Sequence, residues 1–147
     1  MIKKNFKFGR KSKERLNTIH PLLQDVLNEA LEYVDFTILE GSRSVERQQQ
    51  LVDEGKSTTM NSKHIVREGK AWSRAVDIAP YPIRWGGIDN EKDVRDLGRI
   101  YMFIGFIKGI AVKRGVDIRI GADWDGDFNT QDQSFHDLFH IELVGYE

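Results

Sequence analysis

Four histidines and no cysteine bound the metal and nucleophile chemistry open to this 147-residue chain. Without thiols there are no disulfides, no thiolate nucleophiles and no cysteine-bearing zinc sites. Two of the histidines cluster with two acids in Ser134-Phe135-His136-Asp137-Leu138-Phe139-His140-Ile141-Glu142. Its segment His136–His140 is one carboxylate swap from His-Glu-x-x-His, which on a helix sets two imidazoles on one face with the acid as general base. That geometry needs helical backbone. The polar stretch before it and the alternation of His140-Ile141-Glu142-Leu143-Val144 favour a strand instead. A strand entered at about His140 lets Asp137 and His140 face one pocket from the bend. Two further candidates stand upstream: His64 in the polar run Ser62-Lys63-His64, and Asp77 inside Ala75-Val76-Asp77-Ile78-Ala79. A carboxylate among apolar neighbours is costly to bury unless it is paired or metal-bound. With two histidines available, a metal is the better partner for Asp77 than a structural ion pair.

The elements that must position these groups follow from periodicity. Leu22, Leu23, Val26, Leu27, Ala30, Leu31 and Val34 recur at helical spacing after Pro21, and His20 before the proline suits a cap or a surface position. Ser12 is the expected cap of an earlier helical turn. Phe36 to Leu39 reads as a strand ended by Gly41, and Ser44 as the cap of a helix through Val52 stopped by Gly55. A polar loop from Gly55 to Arg74 precedes the strand Ala75–Ala79, which Pro80 and Pro82 punctuate. Asp89 or Asn90 caps a long helix to about Arg114, in which Gly98, Gly105 and Gly109 are expected to pack closely against the sheet. Ile118-Arg119-Ile120 and His140–Val144 are the last strands. This order predicts a single α+β domain over 1–147 with a small, mainly antiparallel sheet and no second domain.

Twenty-two basic against 23 acidic residues and a pI near 6.4 argue against nucleic acid as a partner. The charge is uneven. Residues 1–15 hold seven Lys and Arg against Glu14, a stretch suited to an anionic surface, whereas residues 117–142 hold seven acids against Arg119. No apolar run long enough to span a bilayer and no signal peptide are evident, so the product is expected in the cytoplasm where it is made. Gly-x-Ser-x-Gly and the phosphate-binding Gly-x4-Gly-Lys-Ser/Thr are both absent, which removes the serine hydrolase and P-loop readings.

Ser62-Lys63-His64, Ala75-Val76-Asp77-Ile78-Ala79-Pro80 and Asp137-Leu138-Phe139-His140, taken in order, resemble the zinc peptidases grouped with D-Ala-D-Ala carboxypeptidases and hedgehog-type domains. Within them the chain is most similar to the single-domain phage endolysins that act as L-alanyl-D-glutamate peptidases. Phe6-Lys7-Phe8-Gly9, Asp35-Phe36-Thr37-Ile38 before Gly41-Ser42-Arg43, and Gly121-Ala122-Asp123-Trp124 extend the resemblance nearly end to end. One departure stands out. The family frames its first His and its Asp in Ser-x-His-x-x-Gly-x-Ala-x-Asp, whereas His64 and Asp77 lie 13 positions apart. Extra loop residues are cheap in closure entropy, but they bear on the cleft beside His64. Trp72 in that stretch suits either a cleft wall or a loop anchor.

Carried over residue by residue, the resemblance implies zinc held by His64, Asp77 and His140 with one coordination position left open, as catalytic zinc requires. Asp137 matches the family's general base. Arg43 matches an arginine at the cleft that binds a substrate carboxylate or polarises a carbonyl; a surface ion pair is its simpler role. His136 is left for a supporting, substrate-contacting or exposed position. The implied activity is hydrolysis of a peptidoglycan stem-peptide bond, L-Ala–D-Glu, by a monomer without stable membrane insertion that reaches the wall after holin-type release. A D,D-carboxypeptidase or dipeptidase acting on D-Ala-D-Ala, or a non-catalytic zinc-containing wall-binding module, are the alternatives. Separately, Asp123, Asp125, Asp127 and Asn129 alternate like the start of a calcium loop, although Phe128 stands where glycine is expected and no Glu closes the loop. A solvated turn is the simpler expectation there.

Overall fold

A computed structural model of the chain describes residues 1–132 and 137–146. The elements are α1 (Arg10–Leu16), α2 (Pro21–Leu31), β1 (Phe36–Glu40), α3 (Val45–Asp53), β2 (Ala75–Pro80), α4 (Glu91–Arg114), β3 (Ile118–Ile120) and β4 (His140–Leu143). The strands form one sheet in the order β1-β2-β4-β3, with every neighbouring pair antiparallel. This is the α+β architecture that the order of elements predicts.

One face of the sheet is apolar. Phe36, Ile38, Val76, Ile78, Ile120 and Ile141 meet the buried stripes of α2 and α4. In α2 that stripe is Leu23, Val26, Leu27 and Ala30, spaced for one face, and the His20 Nδ1 caps the helix by accepting from Leu22 N–H at 3.1 Å. Asn90 caps α4 and Gly115 ends it in the left-handed conformation, as its place after the last turn favours. Two expectations are corrected. Gly9, not Ser12, flanks the start of α1; Ser12 lies inside the helix, where its hydroxyl accepts from Ile38 N–H at 3.1 Å and ties α1 to β1. Gly98, Gly105 and Gly109 do not pack on the sheet. They occupy the exposed arc of α4, and a Cβ at any of them would meet nothing within 4 Å.

The other face of the sheet carries charge, and register decides which residues reach it. Asp77 pairs with His140, and Ala75 with Glu142, across β2 and β4; Arg119 of β3 pairs with Glu142 from the far side. Phe36 and Ile38 point into the core, so strict alternation would send Glu40 there too. A bulge between Ile38 and Glu40 changes the parity and sets Glu40 opposite Asp77. Glu40, Asp77 and His140 therefore form one row across three strands.

Candidate metal centre and catalytic cleft

His64 Nε2, Asp77 Oδ1 and His140 Nδ1 form a nearly equilateral triangle with separations of 3.3, 3.2 and 3.3 Å. Each histidine has its other ring nitrogen committed to an acceptor. His64 Nδ1–H donates to Gly41 O at 2.7 Å, and His140 Nε2–H donates to Glu142 Oε1 at 2.8 Å. The nitrogens facing the triangle thus offer lone pairs towards the Asp77 oxygen. Three mutually facing acceptors need a cation between them. Metal–ligand bonds of about 2.0–2.1 Å at tetrahedral angles put donors roughly 3.3 Å apart, so the triangle fits zinc with one position open.

In the absence of a metal, a proton takes the cation's place. Burial opposes charge on His140, but its hydrogen bonds to Asp77 and Glu142 outweigh that and push it up to about 9. Burial likewise acts to raise Asp77, yet the bonds from His140 and His64 prevail and hold its carboxyl well below the ordinary range.

Two glycines allow the segments bearing His64 and His140 to approach so closely. A Cβ on Gly41 would lie 2.3 Å from Thr18 Oγ1 and 2.6 Å from Arg15 O, so only glycine brings its carbonyl to His64. A Cβ on Gly121 would lie 2.1 Å from Asp137 O. Gly121 also accepts from Asp137 N–H and donates to His140 O, which locks the bend before β4. Asp137 follows as a half-buried carboxylate with Oδ2 3.9 Å from His140 Nδ1. Burial, and then the charge of Asp77, raise it above the usual carboxylate value. The turn at Leu138-Phe139 and the strand from His140 exclude a helix that would pair His136 with His140. His136 itself lies outside the described residues.

Arg43 also lines the cleft. Its Nε and one terminal nitrogen donate to Glu40 at 2.8 and 2.7 Å, and the other terminal nitrogen donates to Gln48 Oε1 at 2.7 Å. It is therefore no surface ion pair: its side chain is 10% exposed and 3.9 Å from Asp77 Oδ2. Its backbone N–H also donates to His64 O at 2.8 Å, so Arg43 and His64 are fixed together. All five predicted site residues, Arg43, His64, Asp77, Asp137 and His140, line one open cleft of about 650 Å³.

The extended stretch between His64 and Asp77 forms one wall of this cleft. Arg67 and Arg74 line it, while Ser73 pairs with Ile19 and anchors the returning chain. Trp72 is not a cleft wall: it is exposed, with its ring edge-on to His20 at 6.1 Å, away from the cleft lining. Trp124 stands in the cleft beside His140, with ring centroids 5.5 Å apart.

Four supporting residues escaped the reading of the sequence. Glu142 had a signal, since two steps along a strand from His140 is the same face. Gln48, fully buried, shares a helix face with Leu51 three positions on and links Arg43 to Ser57 and Thr59. Lys63 and Glu40 had none, because their roles depend on a distant strand and on a bulge.

The pattern shared by the phage L-alanyl-D-glutamate peptidases matches residues 4–144. The chain belongs to that family. It is 34% identical to the L-alanyl-D-glutamate peptidase of Escherichia phage T5 over 148 residues, covering 95% of this chain and 99% of the relative. Its fold matches the crystal structure of the Serratia marcescens L-Ala D-Glu endopeptidase ChiX with a TM-score of 0.67 and 25% identity, over 96% of this chain and 92% of that one. This phage-type peptidase thus places a metal-capable His64–Asp77–His140 group at the floor of its cleft.

The second acidic cluster lies on the β3–β4 connection. Asp123, Asp125 and Asp127 have carboxylate oxygens within 4.8 Å of one another. Asp123 is only 5% exposed; its Oδ2 accepts from Phe128 N–H at 3.0 Å, but its buried Oδ1 has no partner among the described residues. Phe128 takes φ 65°, supplying the left-handed turn for which glycine is expected at that position.

Proposed function

We propose that this peptidase is zinc-dependent and cleaves the L-Ala–D-Glu bond of peptidoglycan stem peptides, with zinc held by His64, Asp77 and His140. The observation that carries the reading is the triangle of lone-pair donors, each histidine oriented by an acceptor on its far side. When bound, zinc supplies Lewis-acid polarisation of the scissile carbonyl and of the attacking water. Asp137 takes the proton from that water and returns it to the departing amine of D-Glu, a role supported by its place beside the triad and its raised carboxyl. Arg43 spends three of its five N–H bonds on Glu40 and Gln48. The remaining two serve the substrate's carbonyl or carboxylate.

All ligands and the base come from one chain, which supports action as a monomer. No described helix is long and apolar enough to cross a membrane, and in our reading the enzyme acts on the wall after holin-type release from the host cytoplasm. Digestion of purified peptidoglycan by the zinc-loaded protein tests the reading. New D-Glu amino termini are expected; D-Ala termini would favour D,D-peptidase activity, and no new termini would favour a binding module.

A second cation, of the calcium class, is proposed at Asp123, Asp125 and Asp127. The buried Asp123 Oδ1, without a partner among the described residues, supports it, because an orphaned carboxylate oxygen costs free energy that a hard cation removes. Calorimetric titration of calcium into zinc-loaded protein tests it, and absence of binding heat would leave a solvated turn.

A further inference from the structure

We infer that Glu142 is a positioning residue that sets both histidine ligands at once: His140 directly, and His64 through Lys63. The inference rests on the zinc reading above. Glu142 is 6% exposed and meets three donors. Its Oε1 accepts from His140 Nε2–H at 2.8 Å, while Oε2 accepts from Lys63 Nζ at 2.8 Å and from Arg119 at 2.7 Å. The first bond keeps the His140 proton on Nε2 and turns the Nδ1 lone pair to the metal position.

The second bond acts at a distance in sequence. Lys63 immediately precedes His64, and its ammonium donates both to Glu142 Oε2 and to Leu143 O at 2.9 Å. The loop carrying one ligand is thereby stapled to the strand carrying another. Backbone bonds complete the join: Arg74 N–H donates to Lys63 O, and Leu143 N–H donates to Arg74 O. Arg119 pairs with Glu142 across β3 and β4 and holds the carboxylate from the side away from Asp77. A carboxylate held by three donors has one orientation, so the imidazole bonded to it does too.

Glu142→Gln keeps the shape but puts an amide donor against Lys63 and Arg119. Zinc titration against a competing chelator should show affinity weakened about 10–100-fold, the range typical of outer-shell partners. At saturating zinc, the downfield Nε2–H proton resonance of His140 should shift upfield or broaden by exchange, which a purely structural role would not produce. Lys63→Met should weaken zinc binding by a smaller factor, and the two losses should not multiply in the double variant because both act through one carboxylate. Zinc affinity of Glu142→Gln within threefold of the unaltered protein, or an unshifted His140 resonance, would overturn the proposal. If Glu142→Gln does not fold, Lys63→Met decides, and unchanged zinc affinity there refutes the coupling to His64. Failure of the unaltered protein to bind zinc would refute the metal reading itself.

Discussion

The triad His64–Asp77–His140 and the loop acids Asp123–Asp125–Asp127 each bring three ligand groups within one cation's reach, by opposite construction. Two of the triad's residues stand on paired strands and the third on a loop bound to them, with mixed nitrogen and oxygen donors and an acceptor behind each imidazole. The loop acids are all carboxylates on consecutive turns. Asp125 and Asp127 are exposed and spend oxygens on local backbone: Asp127 N–H donates to Asp125, and Asn129 N–H donates to Asp127 at 2.7 Å. Partial desolvation, then the charge of Asp127, push the Asp132 carboxyl upward. A borderline-soft ion with strict geometry suits the first arrangement, and a hard ion with flexible geometry suits the second. The difference lies in support: a preorganised site is built across the sheet, whereas the loop supplies charge and one buried oxygen without a partner among the described residues.

The largest effect should come from the triad. Asp77→Ala, His64→Ala or His140→Ala should each abolish lysis and most zinc binding, and elemental analysis after dialysis reads this directly. Full zinc occupancy in two of the three would break the comparison at its stronger end. Asp137→Asn comes next, with a turnover loss of roughly 10²–10⁴-fold while zinc stays bound. Steady-state rates beside zinc content separate that outcome from loss of the metal.

Acidity should act on the metal-free and loaded proteins in opposite directions. Without metal, His140 is pushed from its ordinary 6.5 up to about 9, so its contribution to stability is complete below 6.5 and lost as pH rises through 9. Thermal melts in chelator should therefore show Tm falling over that window. Zinc must displace the same proton, so its affinity should rise by roughly tenfold per pH unit up to that value. A flat apo profile would show that Asp77 and Glu142 do not hold His140 as described. The smallest effect is reserved for the loop: calcium should raise Tm by a few degrees, since binding to the folded state alone stabilises it. Asp123→Asn should remove that response and leave zinc affinity unchanged. A calcium response retained in that variant would place the ion elsewhere.

Much of the scaffold was legible because it is written in local periodicity. The stripe Leu23, Val26, Leu27 and Ala30 declares the buried face of α2, and Pro21, Ser44, Gly55 and Asn90 mark helix ends by backbone chemistry that needs no distant partner. Asp77 betrayed itself as a charge inside an apolar strand, and His140 by the alternation that follows it. The glycines of α4 show the limit of the same logic. A pattern can say that small residues recur on one arc, but only packing reveals that this arc faces outward.

By itself, then, the sequence singled out the residues that the fold gathers in one cleft, and it determined which strands and helices form and that the sheet has a core face. The tertiary structure alone decided how the donors converge. A bulge turns Glu40 towards Arg43, Gly41 and Gly121 let two backbones approach within distances no Cβ permits, and Phe128 takes the turn expected of a glycine. Lys63, 80 positions from Leu143, joins the His64 loop to β4. The physical reason is range. Periodicity and capping are settled within a few residues, whereas register, bulges and loop closure depend on segments that meet only in the folded chain.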